Sequence, residues 1–137
     1  MFPECFGQIA NALEINEVPQ THREYILRAC VGRHYYEVFH KIQNWLIKDY
    51  PEIFKAGGGG THQALQVSCE LLAEKLNDPR FDKLALKLKV LHSERIKADY
   101  FLDSVYGEGG LITVKAEKNR LNILLDDILK NPSTSVA

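Results

Sequence analysis

The chain has 137 residues, 45% of them hydrophobic and 26% charged, which is the size and composition of one globular domain with one core. Its 17 Lys and Arg residues almost cancel its 18 Asp and Glu residues, so no global field draws it to nucleic acid or to a membrane, and any RNA contact has to come from a local patch. Cys5, Cys30 and Cys69 stand far apart, without a C-x-x-C pair or zinc spacing, and read as reduced thiols in an expected cytoplasmic setting.

Met1 to Cys5 has neither the basic nor the apolar region of a leader, and no stretch has the apolar length of a membrane span. An amphipathic stretch from Glu4 to Glu14, with Phe6, Ile9, Ala10 and Leu13 on one side, predicts a modest first helix. Thr21-His22-Arg23-Glu24 has the form of a capping box and opens a long helix to about Asp49. Pro51 ends it, because a proline disfavours helical geometry in the residue before it.

Gly57 to Gly60 is a loop, since four glycines cost too much backbone entropy inside a regular element. It is no phosphate cradle, because the G-x-x-x-x-G-K-[ST] pattern after a strand is missing. Thr61 caps the next predicted helix, to about Leu76. Asp78 and Pro79 then supply an N-cap and a first helical position for a helix to about Ser104.

Gly107, Gly109 and Gly110 break the chain once more, and Thr113 can cap a final helix with Val114, Leu121, Leu124, Leu125 and Ile128 on its apolar face. The expected domain spans residues 1–130, with Asn131 to Ala137 too poor in apolar residues to order themselves. No window shows the period-two alternation of a strand. The fold class is therefore all-α, an up-and-down bundle of four to five helices.

Phe81, Leu84, Leu88, Leu91, Arg95, Ala98 and Leu102 follow spacings of three and four, one seam facing the bundle, and Arg95 interrupts it. A guanidinium there must snorkel out or meet a partner, and Asp99, four residues on, is the nearest. A structural ion pair at the bundle's edge is the plain reading. His92 lies one turn before Arg95 and completes a polar stripe, which has too few ligands for a metal and a repelling cation among them.

On the second helix Val31, Tyr35, Val38, Ile42 and Trp45 form the core face, flanked by Phe39 and Leu46. Arg33, Tyr36 and His40 gather on nearly the opposite side, either as a solvated face or as a surface for a second subunit or ligand. No nucleophile elbow and no H-E-x-x-H motif is present.

The run Arg28-Ala29-Cys30-Val31-Gly32-Arg33-His34-Tyr35-Tyr36-Glu37-Val38-Phe39-His40 resembles the R-x-x-x-x-R-x-Y-Y-x-x-F-H signature of small prokaryotic HEPN-domain proteins. Thr61-His62 resembles the histidine that opens their next helix, and Arg95-Ile96-Lys97-Ala98-Asp99-Tyr100 resembles their R-x-x-A-D-Y motif. The resemblance covers about Thr21 to Ser104, with weaker agreement from Thr113 to Leu129.

It implies a helical bundle that dimerises, found in toxin–antitoxin and phage-defence systems, either as a metal-independent ribonuclease or as the partner of a nucleotidyltransferase. The ribonuclease members carry an arginine followed, after four to six residues, by a histidine. Tyr100, Phe101 and Leu102 hold those positions here, and a tyrosine, with an ordinary pKa near 10, is a poor proton acceptor at neutral pH.

The resemblance thus gives Arg95, Asp99, Tyr100 and His40 as candidate catalytic residues and Arg33, Tyr36, His62 and His92 as candidate binding residues. No metal or cofactor is expected. The expected partners are a second copy, RNA, and an antitoxin or nucleotidyltransferase. The alternative is a non-catalytic helical interaction module that uses the Arg33, Tyr36, His40 face.

Overall fold

The computed structural model describes residues 2–15 and 22–133. Six helices follow one another: α1 (Glu4–Glu14), α2 (Arg23–Asp49), α3 (Pro51–Ala56), α4 (His62–Leu76), α5 (Arg80–Tyr100) and α6 (Glu108–Lys130). No strand occurs among the described residues. The chain is an all-α helical bundle, and no helix among the described residues is long and apolar enough to cross a membrane.

Contacts along the helices set their directions. Arg28 of α2 meets Ala98 of α5, Tyr36 meets Arg95, and Trp45 stacks on Phe81, so α2 and α5 run antiparallel. Lys87 and Arg80 of α5 reach Glu117 and Asp127 of α6, which makes that pair antiparallel as well. His62 at the start of α4 lies against Tyr35 and Phe39 in the middle of α2. The short α3 therefore makes the return stroke between α2 and α4.

That sixth element is absent from the expected pattern, because six residues are too few to display a period. Pro51 explains both events. It pushes Tyr50 out of helical geometry (φ −138°, ψ 56°) and then occupies the first helical position of α3, where a missing amide costs nothing. Gly58 and Gly59, at φ 107° and 89°, close α3 with amides bonded to the carbonyls of Lys55 and Phe54. Only glycine adopts such angles without strain, so the four-glycine loop is a tight turn.

Thr61 caps α4 as expected, its hydroxyl accepting from the Ala64 amide at 3.1 Å. Asp78 accepts from the Arg80 amide at 3.0 Å and so performs the capping role assigned to it. Thr21 lies outside the described residues. Its expected box partner Glu24 instead accepts from the Tyr106 amide at 2.5 Å and from Arg28 at 3.2 Å.

The core holds Tyr35, Ile42, Leu46, Leu65, Leu72, Phe81, Leu84, Leu91, Leu121 and Leu125, all essentially inaccessible to solvent, each contributing about 1.5–3 kcal/mol by leaving water. Cys30 and Cys69 are buried free thiols and Cys5 is half-buried. Burial pushes the Cys69 thiol up to about 12.

Two boundaries differ from the sequence reading. α5 ends at Tyr100, and Leu102 is 71% exposed beyond it, because the Arg28 guanidinium collects carbonyls that a further helical turn would have used. Nη1 donates to Lys97 and Ala98 (3.1 and 2.8 Å), and Nη2 to Phe101 and Ser104 (3.1 and 2.6 Å). α6 begins at Glu108, so Gly109 and Gly110 lie inside its first turn and Thr113 does not cap it. A Cβ at Gly110 would stand 2.3 Å from the Tyr106 ring, so glycine there admits an aromatic side chain that is itself buried.

Ile9, expected on the packed side of α1, is 43% exposed, and the contact runs instead through Gly7 and Ala10. At the C-terminal end, Arg80 brackets Asp78 and bonds the Asn131 carbonyl at 2.7 Å, while the Ser133 hydroxyl donates to Asp78 at 2.5 Å. Residues 131–133 are thus held by polar contacts, and the rest of the expected tail lies outside the described residues.

Replacing Arg28 by alanine takes from the carbonyls of Ala98 and Ser104 the donor that Arg28 supplies, while those of Lys97 and Phe101 keep the amides of Phe101 and Ser104. Each lost charge-assisted bond matters because a half-buried acceptor cannot turn fully to water. Arg28→Ala is expected to lower stability by about 2–4 kcal/mol, read as a fall in urea midpoint with the slope unchanged. An unaltered midpoint contradicts this role.

Candidate functional site

Three elements converge on Arg95. It lies on the last turns of α5, one helical turn after His92 and one before Asp99. Tyr36 and His40 face it from α2, and His62 enters from the first turn of α4, placed there by the Thr61 cap. The guanidinium is largely buried: its side chain is 12% exposed, against 35% for Asp99.

Arg95 meets partners rather than snorkelling out. Its Nη2 donates to the Tyr36 hydroxyl at 3.0 Å. Its Nε lies 2.8 Å from Asp99 Oδ2, but the N–H is not aimed at that oxygen, so the pair is coulombic more than hydrogen-bonded. The Tyr36 and Tyr100 rings flank the group with centroids 5.3 and 5.8 Å from Cζ, cation–π distances that further hold the charge. Nη1 makes no hydrogen bond among the described residues.

Beside this clamp the imidazoles of His62 and His92 stack, centroids 4.8 Å apart and planes 13° from parallel. His62 Nδ1 is 2.6 Å from the Tyr35 hydroxyl. Burial keeps Tyr35 protonated by raising its pKa, so that hydroxyl can donate to a neutral imidazole. Burial lowers the pKa of His62, assisted by the neighbouring His92, Arg95 and His40; burial and then Arg95 do the same to His92. Both imidazoles are therefore neutral at physiological pH, the form that accepts a proton.

His40 joins through stacking on Tyr36, centroids 6.0 Å apart, and on Phe6 of α1, 5.4 Å away. Here the expected face changes character. Tyr36 and His40 do not stand free, because α1 lies across them and Phe6 covers both. Reading α2 in isolation hid this neighbour. Arg33 alone of that trio is exposed, and it takes no part in the cluster.

α1 approaches closely because Gly7 has no side chain: a Cβ there would lie 2.8 Å from both Glu37 Oε1 and Lys118 Nζ. Beneath it sits a polar trio that the sequence reading passed over. Lys118 pairs with Glu37 and lies 2.9 Å from Nδ1 of the buried His34. Lysine only donates, so Nδ1 accepts and Nε2 carries the proton, with no partner among the described residues. Burial, then the charges of Lys118 and Lys115, lower the His34 pKa to about 4.

No group of three or more His, Cys, Asp or Glu side chains arranged to hold a metal ion occurs among the described residues. Comparison with protein-family models, with curated proteins and with solved structures finds no match to this chain. The arrangement itself defines the chemistry at hand: a fixed cation, a phenol and two neutral imidazoles able to bind an anion and exchange a proton beside it.

Tyr35 and His34 are the site-region residues that sequence reasoning missed. Tyr35 reads as core and is core, yet its hydroxyl orients His62. Its only sequence signal was its place beside Tyr36 in the quoted run.

His34, His62 and His92 all have lowered pKa values, so the unfolded chain binds more protons than the folded one once pH falls below about 6.5. Stability is full above that value and declines on acidification. His34 alone withdraws up to about 3 kcal/mol as pH falls from 6.5 towards 4. The depressed carboxylates, Glu24 and Asp127 among them, act only below about 4.5. The melting temperature is thus expected to fall between pH 6.5 and 5, and His34→Gln to flatten that slope. A wild-type profile level across this window rules the account out.

Proposed function

We propose that this chain is the HEPN-type component of a prokaryotic toxin–antitoxin or phage-defence system and that it binds and cleaves RNA at the Arg95 cluster. The observation that carries the reading is the neutral His62–His92 pair beside Arg95. The HEPN resemblance places the catalytic histidine after the arginine, where this chain has Tyr100. Imidazoles from α4 and from the preceding turn of α5 supply the missing function.

In this mechanism an RNA phosphate displaces Asp99 and takes the forked donors of Arg95. His92 accepts the proton of the 2′-hydroxyl as that oxygen bonds to phosphorus and the bond from phosphorus to the 5′-oxygen breaks, and the protonated imidazole then returns the proton to the leaving 5′-oxygen. His62, whose Nδ1 accepts from the Tyr35 hydroxyl, stacks on His92, and Tyr36, His40 and Tyr100 shape the surroundings. Arginine suits the task, since its planar fork matches two phosphate oxygens. The reaction is independent of added metal.

A second reading, a non-catalytic module partnering a nucleotidyltransferase or an antitoxin, draws support from the deep placement of Arg95 and from the exposed Arg33. Growth of cells expressing the chain alone and with its neighbouring gene separates the two. Toxicity relieved by the neighbour favours the first, and stable co-purification without toxicity the second.

Arg95→Ala and Arg95→Lys test the clamp. Each is expected to remain folded with a loss of about 1–2 kcal/mol, and each to lose RNA cleavage in chelator, because lysine keeps the charge but not the fork. A folded Arg95→Ala protein with full activity eliminates the proposal. The protein is also expected to form a homodimer, seen by light scattering at micromolar concentration as twice 15.6 kDa; a monomer at every concentration removes any site shared between copies.

A further inference from the structure

A cleft of about 460 Å³ opens between α4 and α5 and ends at His92. Its volume falls within the range of about 300–1,000 Å³ usual for small-ligand sites. One wall carries Gln63, Gln66 and Glu70 from α4, and the other Lys89, His92 and Ser93 from α5. Spacings of three and four align each trio along one helix face. None of Gln63, Gln66, Glu70, Lys89 and Ser93 forms a side-chain hydrogen bond or ion pair among the described residues, whereas most charged side chains bordering the Arg95 region, Glu94 and Lys97 included, are paired.

His92 belongs both to this cleft and to the stacked pair beside Arg95. From Lys89 to Arg95 is six residues, about 9 Å along the helix axis, a length of the order that separates a base edge from its own phosphate. The lining suits a base better than a phosphate. Two amides offer both donors and acceptors, a carboxylate repels an anion, and an imidazole provides an edge or face of the kind that stacks on unpaired bases.

We infer that the α4–α5 cleft is the base-binding subsite of the Arg95 centre, seating one unpaired nucleobase of an RNA strand whose phosphate engages Arg95. This rests on the reading of Arg95 as an RNA site and adds the feature that selects the substrate. Gln63 and Gln66 bond the base edge, and Glu70 accepts from an exocyclic amine. The subsite therefore prefers adenine, cytosine or guanine over uracil, whose edge carries no amine.

The test compares ribose 5-phosphate, 5′-CMP and 5′-UMP on the full chain by amide chemical-shift titration. Ribose 5-phosphate is expected to shift signals around Arg95 and Asp99 alone. 5′-CMP should bind at least fivefold more tightly, shift Gln63, Gln66 and Ser93 as well, and bind better than 5′-UMP. The surface variants Gln66→Ala and Glu70→Gln should abolish the gain of 5′-CMP over ribose 5-phosphate while leaving ribose 5-phosphate binding unchanged. If ribose 5-phosphate and 5′-CMP bind equally, or if the variants leave the gain intact, the subsite is wrong while the Arg95 proposal stands. If neither these ligands nor RNA perturbs Arg95, both fall together.

Discussion

The capture of four carbonyls by one guanidinium is the constraint around which this bundle is arranged. A helix leaves its last carbonyls without intrahelical donors, and capping or solvent usually satisfies them. Here Arg28, two turns before Tyr36 on α2, donates to the last-turn carbonyls of Lys97 and Ala98 and, just beyond the helix, to those of Phe101 and Ser104. The contact ends α5 at Tyr100 and fixes its height against α2. It also holds residues 101–106 in the path that Glu24 and the buried Tyr106 complete. Were α2 to slide along α5 by one turn, Tyr36 would no longer meet Arg95, nor Tyr35 meet His62 and His92. The site inherits its geometry from a bond network that contains none of its chemistry.

On the other side of α2, small residues do what Arg28 does by charge. Gly7 and Ala10 bring the α1 backbone down onto α2, close enough for the Cys30 thiol to reach the Ala10 carbonyl at 3.4 Å. The approach buries Glu37, Lys118 and His34 beneath the helix and lays Phe6 over Tyr36 and His40. Among the described residues the α1 backbone lies close to no helix but α2, so its grip is this one strip together with bonds to Glu14 from Arg23 of α2 and from Lys115 of α6. Access to Tyr36 and His40 is therefore governed by an element with little burial of its own.

The sequence made the helices legible wherever a stop signal was local. Thr61, Asp78 and Pro51 act within a few residues, and each performs its expected role. The misplaced boundaries are those decided by a partner far along the chain. The end of α5 is set by Arg28, about 70 residues earlier, and the start of α6 is permitted by the fit of Tyr106 against Gly110. The candidate site divides in the same way. Arg95, Asp99 and His92 share one helix face and could be grouped by spacing, whereas the approach of His62 from α4 and the cover by Phe6 are properties of packing. Tyr35 was hidden for a different reason: its ring belongs to the core as the pattern says, and only its hydroxyl belongs to the site.

The charges around Arg95 form a coupled system. Its cation helps to depress His62 and His92, and it does so although it faces the carboxylate of Asp99, which is more exposed than the guanidinium. An anion arriving at Arg95 would cancel the same positive field at closer range, and both imidazoles would then hold protons more readily. By linkage the converse follows: protonating either imidazole strengthens attraction for the anion. A centre of this kind is least basic when empty and becomes a better proton store as its ligand seats. Such an order suits a group that must first accept a proton and later return it, and it arises from the placement of His92 one turn before an arginine, without a histidine after it.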